Sequence, residues 1–537
     1  MPQFVAMPVT VAIMEVACKS LAFKKMPGKS RQLDDSKEPL GEGVSSILSG
    51  ESRLRRHVKS VECLAKPLTS ERAVLAPAMP RRHFTEMWLL LISLVSFSEA
   101  RAQTAQFVPF ASAQPVLSAM HDSLPPELKG SGQVTAAQWD KWVRTRDRDI
   151  RSRLTGGEED TLTNLLRLGV TYTSQQRISF RDLESYGKDR GIDAIADKRA
   201  DDLIRALAAP HPSEGMTEMR AFLQRQGFDL TTPKGQKKTK SYLLANLARE
   251  RDEVLRWEAE VSRKNPNLYQ AFQSRGISTD SDLYPDYIIE VHLRHLMEQG
   301  LLKPGSVHRV AIVGPGLDFV NKNAGADFYP PQTTQPFAVI DSLARLGLSD
   351  PNTVQLYTFD ISSRVNRHIE RARSIAAAGK PYTIQLLCTP SEQWEASYRV
   401  GFLDYWQKFG DQIGKPVARI AVPAAASEIW NRAVNVRPEV VKRITPVDMN
   451  IVYQTLPLPP EQRFDLVIGT NIFIYYGALE QSLARANLAT MMKPGAFLIT
   501  NEALPGTAPS KLADSLKTSV PFKVSDTEYV FGYVREK

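Results

Sequence analysis

The residues of this chain that could do chemistry begin with two glycines that directly follow a short apolar run. Gly314 and Gly316 come after Arg309–Val313, a β-branched pattern typical of a parallel strand buried on both faces. Glycines at such a turn let the backbone bend sharply and approach a ligand closely. Asp360 closes the next strand pattern, where a carboxylate can accept hydrogen bonds from ribose hydroxyls or can cap the helix that follows. The pattern predicts a site for a nucleotide-type cofactor.

The spacing of this motif distinguishes two classes of cofactor. The dinucleotide fingerprint has a third glycine and an acidic residue ~20 positions further on. Here Asp318, which we also expect to bind the cofactor, follows the second glycine, and Asp360 stands 46 residues after Gly314. We therefore expect a cofactor without a diphosphate, and S-adenosylmethionine fits best because its ribose and adenine still need a carboxylate. NAD, with a nicotinamide-dependent oxidoreductase, is a disfavoured alternative, and a glycine turn that binds nothing is another.

Polar residues also follow two later strand patterns. Asp448 ends Ile444–Asp448, where its carboxylate could accept from an exocyclic amine such as that of adenine, or could equally be a turn residue. Thr470 and Asn471 follow Phe464–Gly469, at a strand end that would face the reacting group. Ligands of parallel sheets lie at the carboxyl ends of the strands, so these residues are predicted to share one cleft.

An aromatic pair, Tyr475 and Tyr476, follows Asn471 and completes the set of candidate catalytic residues. Methyl transfer from a sulfonium centre is an in-line displacement, so the protein mainly has to hold the nucleophile beside the methyl carbon and exclude water. These three residues are the candidates for orienting an acceptor. Asp318 or Glu502 could take a proton from an amine or a hydroxyl, whereas a carboxylate acceptor would need no base.

The elements that must position these residues alternate between strand and helix from Ser306 onward. Alternation of this kind predicts an α/β fold with a mostly parallel sheet covered on both faces. Strands are predicted at Arg309–Val313, Val354–Phe359, Thr383–Leu387, Ile444–Asp448, Phe464–Gly469, Ala496–Asn501 and Tyr529–Val534. Helices are predicted at Val339–Leu346, Ser363–Ala378, Leu479–Met492 and Ser510–Leu516.

The region before this sheet has apolar residues at helical spacing, which predicts an all-α domain over residues 134–303 ahead of a Rossmann-like domain over 304–537. Residues 103–133 are rich in Ala, Ser, Gln and Pro and are predicted to be a tether. Large apolar residues of the helical region are assigned to packing rather than to ligand binding: Trp139, Trp142, Leu162, Leu166 and Trp257.

The N-terminal part of the chain has the layout of a secretory signal peptide. Met79–Ala102 has a basic start, an apolar run from Met87 to Phe97 and an Ala100-x-Ala102 ending. The run is too short for a transmembrane helix, which needs ~20 residues. We expect an exported protein, periplasmic or secreted, if translation starts at Met79, with residues 1–78 a poorly ordered extension outside the true product. If the run is a buried helix, the protein stays cytoplasmic.

The formal charge of +9 does not predict nucleic-acid binding once it is located. Residues 1–102 hold 15 Lys and Arg against 10 Asp and Glu, which leaves 53 against 49 in the rest. Neither nucleic acid nor an anionic membrane has strong electrostatic support as a partner. The cysteines Cys18, Cys63 and Cys388 lack metal-ligand spacing, so no metal site is predicted.

Three segments carry a resemblance to a known family: Phe359–Arg373, Val436–Asn450, and Phe464–Tyr476 with the later Lys493-Pro-Gly. They resemble class I S-adenosylmethionine-dependent methyltransferases, and within them most nearly the chemotaxis receptor glutamate methyltransferases, over residues 306–505. The resemblance implies a Rossmann-like sheet with a seventh, antiparallel strand, for which Tyr529–Val534 is the candidate. It also implies roles for the cofactor-binding residues: ribose at Asp360, adenine at Asp448 to Asn450, and the methionine moiety near Thr470 and Asn471.

The methyl acceptor is not implied by this resemblance, because the loop Gly314 to Phe319 and the following Asn321–Pro336 depart from the chemotaxis enzymes. The acceptor could be a protein carboxylate or a small molecule. Asn321–Pro336 is predicted to be a lid or substrate loop, or a plain surface loop. S-adenosylmethionine is made in the cytoplasm, whereas the leader indicates export. This conflict keeps a second function open, an exported non-catalytic binding module on a degenerate methyltransferase fold.

Overall fold

The computed structural model describes residues 104–129, 133–261, 272–273, 275–318, 327–389, 396–504, 511–523 and 526–536. The predicted extension over residues 1–78 and the predicted leader Met79–Ala102 lie outside this part of the chain. Every described residue belongs to one compact unit. No helix within the described ranges is both long and apolar enough to cross a membrane.

Helices dominate the N-terminal half and flank the strands of the C-terminal half. In chain order the α-helices are α1 (Phe110–Ala119), α2 (Ala136–Ser152), α3 (Leu154–Leu168), α4 (Phe180–Ser185), α5 (Arg190–Ala208), α6 (Glu214–Arg225), α7 (Pro233–Val261), α8 (Leu283–Glu298), α9 (Gln335–Arg345), α10 (Ser363–Ala377), α11 (Ala396–Lys408), α12 (Pro438–Val441) and α13 (Ala478–Met491).

Within the described ranges the strands form three sheets. In chain order they are β1 (Gln106–Phe107), β2 (Arg309–Val313), β3 (Gln355–Asp360), β4 (Tyr382–Cys388), β5 (Gly414–Val417), β6 (Trp430–Val436), β7 (Ile444–Asp448), β8 (Gln454–Thr455), β9 (Phe464–Gly469), β10 (Met492–Thr500), β11 (Leu512–Lys523) and β12 (Asp526–Arg535). The main sheet has seven strands in the order β11, β12, β10, β9, β2, β3 and β7. β1 pairs with β8, and β4, β6 and β5 form a third sheet.

The order of the parallel strands reverses at β2. The chain runs outward from β2 to β3 and β7, then returns to the other side of β2 for β9 and β10. This is the 3-2-1-4-5 order of doubly wound folds, in which ligands bind where the order reverses. β12 then inserts antiparallel between β10 and β11. The sheet is therefore mixed, and its reversal point lies between β2 and β9.

The main sheet is covered on both faces, as its continuous apolar strands predict. In β2, Val310 and Ile312 join one hydrophobic core while Ala311 and Val313 join the other. This alternation is the two-residue period of a strand. The first core also contains side chains of α8, α9 and α10, and the second contains side chains of α1, α2 and α13.

Two predicted elements differ from the structure. Ser510–Leu516 was predicted to be a helix, but Leu512 begins β11, whose hydrogen bonds come from the hairpin partner β12. That partner is supplied from further along the chain, so the local apolar spacing was misleading. Thr383–Leu387 is a strand, but it lies in β4 and pairs antiparallel with β6 outside the main sheet. Tyr529–Val534 lies in the antiparallel β12, next to the edge strand β11.

The described part of the predicted tether is folded. Gln106 and Phe107 form β1, and α1 buries Val116 and Leu117 against the second core. The indole Nε1 of Trp139 donates to the Val108 carbonyl at 2.8 Å. The prediction was wrong because an Ala, Gln and Pro-rich composition concealed a short amphipathic helix.

The helical region is not separate from the sheet. The core around α3 to α7 is separate from the two cores of the sheet, whereas α2 and α8 bury their apolar faces in those two cores. The predicted packing role of the large apolar residues is confirmed, since all five are buried: Trp139, Trp142, Leu162, Leu166 and Trp257. The boundary predicted near residue 303 therefore does not separate two independent cores.

Candidate functional site

A cleft opens at the reversal point of the main sheet, beside the carboxyl ends of β2, β3 and β9. It encloses about 1340 Å³, counting the space that is open to solvent at its mouth. Seven of the residues predicted from sequence line it: Gly314, Gly316, Asp360, Thr470, Asn471, Tyr475 and Tyr476. The topology thus brings together residues that lie up to 162 positions apart in the chain.

Both glycines of the first loop adopt left-handed backbone conformations, with φ of +64° at Gly314 and +72° at Gly316. A Cβ on Gly316 would lie 2.8 Å from Ser281 Cβ and 2.9 Å from the Thr279 carbonyl oxygen. The Leu317 amide donates to that same carbonyl at 2.7 Å. Glycine is therefore required here by close packing of residues 279–281 as well as by the turn itself.

Asp360 ends β3 with its side chain largely buried in the cleft wall. Its Oδ1 accepts from the Ser362 amide at 2.7 Å. The N-cap of α10 is Ser362, whose hydroxyl accepts from Val365. Burial, opposed by the Ser362 hydrogen bond and assisted by the charge of Asp448, raises the pKa of Asp360 to about 7. The carboxylate therefore exchanges its proton near neutral pH.

Asn471 is held in a strained conformation at the end of β9. Its φ of +57° is left-handed, which is uncommon for a residue with a side chain. Its amide donates to Asn501 Oδ1 at 2.8 Å, and Asn501 Nδ2 donates to Asn471 Oδ1 at 2.8 Å. The adjacent Thr470 hydroxyl accepts from Gln335 Nε2 at 3.1 Å. Strain retained by such contacts is frequent at functional sites.

Asp318 was predicted to bind the cofactor, but it does not line the cleft. Tyr329 Oη donates to its Oδ1 at 2.6 Å, and Gln332 Nε2 donates to its Oδ2 at 3.1 Å. Burial, opposed by these two hydrogen bonds, raises the pKa of Asp318 to about 7. The carboxylate anchors Tyr329 and Gln332, which are both buried and lie in the segment predicted to be a lid or surface loop, Asn321–Pro336. Residues 321–326 of that loop lie outside the described ranges.

Asp448 and Asn450, predicted at the adenine, also do not line the cleft. Arg151 Nη1 of α2 donates to Asp448 Oδ1 at 2.6 Å, and Asn450 Nδ2 donates to Asp147 Oδ1 at 2.8 Å. Residues of α2 therefore bind polar groups that would be open to a ligand if the sheet stood without the helical region. Glu502, a candidate base, is fully buried and absent from the cleft wall, and burial, with the charge of Glu528 next, raises its pKa well above the ordinary value.

Several lining residues were missed by the sequence analysis: Ser278, Thr279, Asp280, Ser281, Asp282, Tyr284, Gln335 and Glu528. The signal for the first five was visible, because a polar run directly precedes α8 and Asp282 occupies its N-cap. The signal for Glu528 was weaker, since it is an acid placed two residues before the buried Val530 in the same strand.

The charged side chains among the described residues of the cleft wall are all acidic. Four acidic residues line it, Asp280, Asp282, Asp360 and Glu528, and no Lys, Arg or His does so among the described residues. Burial, opposed by Tyr284 and Asn501, raises the pKa of Glu528 to about 7. The aromatic rings of Phe359, Tyr475 and Tyr476 complete the wall. Carboxylates and aromatic faces both stabilise a cation, so the arrangement favours a positively charged ligand.

Comparison with known proteins gives little further support. No family model matches the chain, and no curated protein matches it in sequence. Among solved structures, the N-methyltransferase NodS from Bradyrhizobium japonicum is 10% identical over 48% of this chain and 99% of its own, with a TM-score of 0.24. The magnesium protoporphyrin IX methyltransferase ChlM from Synechocystis is 13% identical over 61% of this chain and 100% of its own, with a TM-score of 0.23. TM-scores of this size are too low to support a shared activity.

Proposed function

We propose that the cleft binds S-adenosylmethionine and that the protein is an S-adenosylmethionine-dependent methyltransferase. The observation that supports this most is the charge of the cleft wall, which has four acids and no basic side chain among the described residues. S-adenosylmethionine carries a permanent sulfonium charge and an ammonium group, which such a wall would stabilise. NAD carries a diphosphate, which the same wall would repel, so an oxidoreductase is disfavoured.

The residues of the cleft suit the parts of this cofactor. Asp360 would hold the ribose hydroxyls, because the Ser362 amide occupies only its Oδ1. In the glycine loop the amides of Gly314, Leu317 and Asp318 donate to backbone carbonyls. No such bond from the Gly316 amide is seen within the described ranges, so that amide would be available to the cofactor's carboxylate. The faces of the aromatic residues would lie near the sulfonium.

The chain's own contribution to methyl transfer would be to position the reactants. The cofactor supplies an activated methyl group, and its transfer requires a nucleophile held in line with the carbon–sulfur bond. Asn471, Tyr475 and Tyr476 stand at the end of β9 and would orient that nucleophile while their bulk excludes water. The resemblance to chemotaxis receptor glutamate methyltransferases supports the same cofactor and leaves the acceptor open.

Calorimetric titration of the full chain with S-adenosylmethionine and with NAD tests this proposal. We expect saturable S-adenosylmethionine binding and no NAD binding. Asp360→Asn should weaken binding, because a hydrogen bond to a charged group contributes about 1.5–3 kcal/mol, which is roughly 10- to 100-fold in affinity. The matched control is Asp350→Asn, an exposed turn acid outside the cleft, which should leave binding unchanged. Tight NAD binding would contradict the proposal.

A cofactor-free binding module is the second candidate function, and one observation favours it. α2 engages Asp448 and Asn450, the residues assigned to adenine by resemblance. If the folded protein binds neither cofactor in the titration, this alternative becomes the better account. The leader-like Met79–Ala102 adds the proposal of export, which N-terminal sequencing of the mature protein tests: Gln103 as the first residue supports it, and an intact leader contradicts it.

A further inference from the structure

We propose that the methyl acceptor is an amine, bound as a cation beside Glu528, and not a carboxylate. The inference rests on the proposed function and names the substrate class of the same cleft. This acceptor differs from that of the chemotaxis receptor glutamate methyltransferases, which is a glutamate side chain. Three observations carry it: the position of Glu528 in the sheet, its surroundings, and the absence of basic side chains from the described cleft wall.

The first observation is the distance between Glu528 and the ribose anchor. Asp360 ends β3, and Glu528 stands near the start of the antiparallel β12. Because Phe531 pairs with Thr500, the last residue of β10, Glu528 lies beyond the carboxyl end of that strand. The strands run in the order β3, β2, β9, β10, β12. Four spacings of about 4.8 Å put the backbones of β3 and β12 roughly 19 Å apart along the same edge.

The ribose that Asp360 would hold is therefore four strand spacings away from the backbone of Glu528. The sulfonium is attached directly to the ribose C5′ carbon, so a ribose held by Asp360 would put the methyl group over the adjoining strands, near Gly314 and Asn471. Glu528, on a strand two places beyond β9, would then lie on the far side of the methyl group. In an in-line displacement that side belongs to the acceptor.

The second observation is the environment of Glu528. Its side chain is buried but lines the cleft, with Tyr284 and Asn501 within hydrogen-bonding reach of its carboxylate. Glu502 is a neighbouring buried acid, whose pKa is raised well above the ordinary value by burial and then by the charge of Glu528. A carboxylate acceptor brought here would meet acids without a compensating cation, and like charges at close range disfavour the ionised forms. An ammonium group would instead complete an ion pair.

The chemistry balances with groups already named. The bound ammonium gives one proton to the Glu528 carboxylate and becomes a neutral amine. Its nitrogen lone pair forms the new bond to the methyl carbon while the carbon–sulfur bond breaks. The bonding electrons stay on sulfur, which becomes a neutral thioether, and the positive charge moves to the methylated nitrogen. A carboxyl group whose pKa is about 7 exchanges this proton readily at neutral pH.

The test compares two probes of similar shape and opposite charge. The full chain is saturated with S-adenosylhomocysteine, which lacks the sulfonium charge, and then titrated with 2-phenylethylamine or with 3-phenylpropionate. We expect the amine to bind at least tenfold more tightly than the carboxylate. Glu528→Gln should reduce this preference at least fivefold, whereas Glu439→Gln, an exposed acid outside the cleft, should leave it unchanged. Retained S-adenosylhomocysteine binding shows that each variant is folded.

The outcomes separate this inference from the proposed function. If S-adenosylhomocysteine and S-adenosylmethionine both fail to bind, the proposed function fails, and this inference fails with it. If the cofactor binds but the two probes behave alike, whether by equal binding or by no binding of either, the amine assignment alone is overturned. A preference for the amine that survives Glu528→Gln unchanged also overturns it.

Discussion

Asn471 and Asn501 are joined by two hydrogen bonds that link the ends of β9 and β10. The Asn471 amide donates to Asn501 Oδ1, and Asn501 Nδ2 donates back to Asn471 Oδ1, both at 2.8 Å. The pair holds Asn471 at a φ of +57° in the cleft wall, a left-handed conformation that asparagine adopts more readily than most residues with a Cβ. Asn501, which does not line the cleft, thus fixes the conformation of Asn471, which does.

Replacing Asn501 by alanine should therefore destabilise the protein. The substitution removes the partners of the part-buried Asn471 amide and Oδ1 and also the contact of Asn501 with the Glu528 carboxylate, which should together cost about 1–3 kcal/mol. The free energy of unfolding, measured by urea denaturation, should fall by that amount, and S-adenosylmethionine binding should weaken as well. Gln407→Ala, on an exposed part of α11, serves as the control and should change stability by less than about 0.5 kcal/mol. A similar small change for Asn501→Ala would show that the pair does not hold the turn.

Gly316→Ala and Gly347→Ala form a matched pair of substitutions. Both glycines have left-handed φ, +72° and +67°, but only at Gly316 would a Cβ approach other atoms, namely Ser281 and Thr279. Gly347→Ala should cost only the conformational term, about 1–2 kcal/mol. Gly316→Ala should cost about 1–3 kcal/mol more, because residues 279–281 must shift. Equal losses in urea denaturation would mean that this packing is easily relaxed.

The raised pKa of Asp360 predicts a pH dependence of stability. The unfolded carboxyl has a pKa near 3.9, whereas the folded one is about 7. Between these values the folded state binds more protons, so its free energy of unfolding falls as the pH rises. Asp360→Asn mimics the protonated acid and does not titrate. The stability of the cofactor-free wild type relative to this variant should fall by on the order of 2–3 kcal/mol between pH 5 and pH 7.

That comparison uses urea denaturation of both proteins at several pH values, which cancels the titration of groups common to both. A difference that stays constant over this range, or that grows with pH, would be inconsistent with a buried, protonated Asp360.

The ion pair of Arg151 and Asp448 should contribute little by itself. The Asp448 side chain is 56% exposed, and pairs of this kind typically contribute about 0–1 kcal/mol. Arg151 also donates to the Ile361 carbonyl at 3.3 Å and to Gln454 Oε1 at 3.2 Å. We expect Arg151→Ala to destabilise more than Asp448→Ala, and a double-mutant cycle to give a coupling energy below about 1 kcal/mol. A larger coupling would show that Asp448 is the main partner through which Arg151 acts.

The central strands could be predicted from the sequence because a strand buried on both faces is marked by a continuous run of apolar residues. Arg309–Val313 and Phe464–Gly469 are unbroken apolar runs, and the strands observed have those same bounds. The prediction was wrong for β11, because its first residues look helical in isolation and form a strand only through pairing with β12. Asp360 and Asn471 could be placed at strand ends of the reversal point because the apolar runs that precede them identify those strands.

The rest of the cleft depends on packing between distant parts of the chain. Asp280 and Asp282 come from the segment before α8, and Glu528 comes from the last strand. No spacing in the sequence connects them to Gly314. Asp448 was placed by the same strand-end argument as Asp360, but it is engaged by Arg151, because α2 lies over that end of the sheet. Local pattern thus located the contribution of the parallel strands to the cleft and missed the contributions of the helical region and of β12.

The pairing of β1 with β8 has a consequence for how this protein folds. Gln106 pairs with Thr455, and Trp139 donates to the backbone of the same N-terminal segment. During synthesis, the segment therefore emerges from the ribosome long before the strand that completes its hydrogen bonds. Its apolar side chains, including Val116 and Leu117, can be buried only after the rest of their core has been synthesised, and most of that core lies later in the chain. Long-range pairing of this kind slows folding and exposes intermediates to aggregation, so the N-terminal segment should be the last part of the described chain to gain protection from hydrogen exchange.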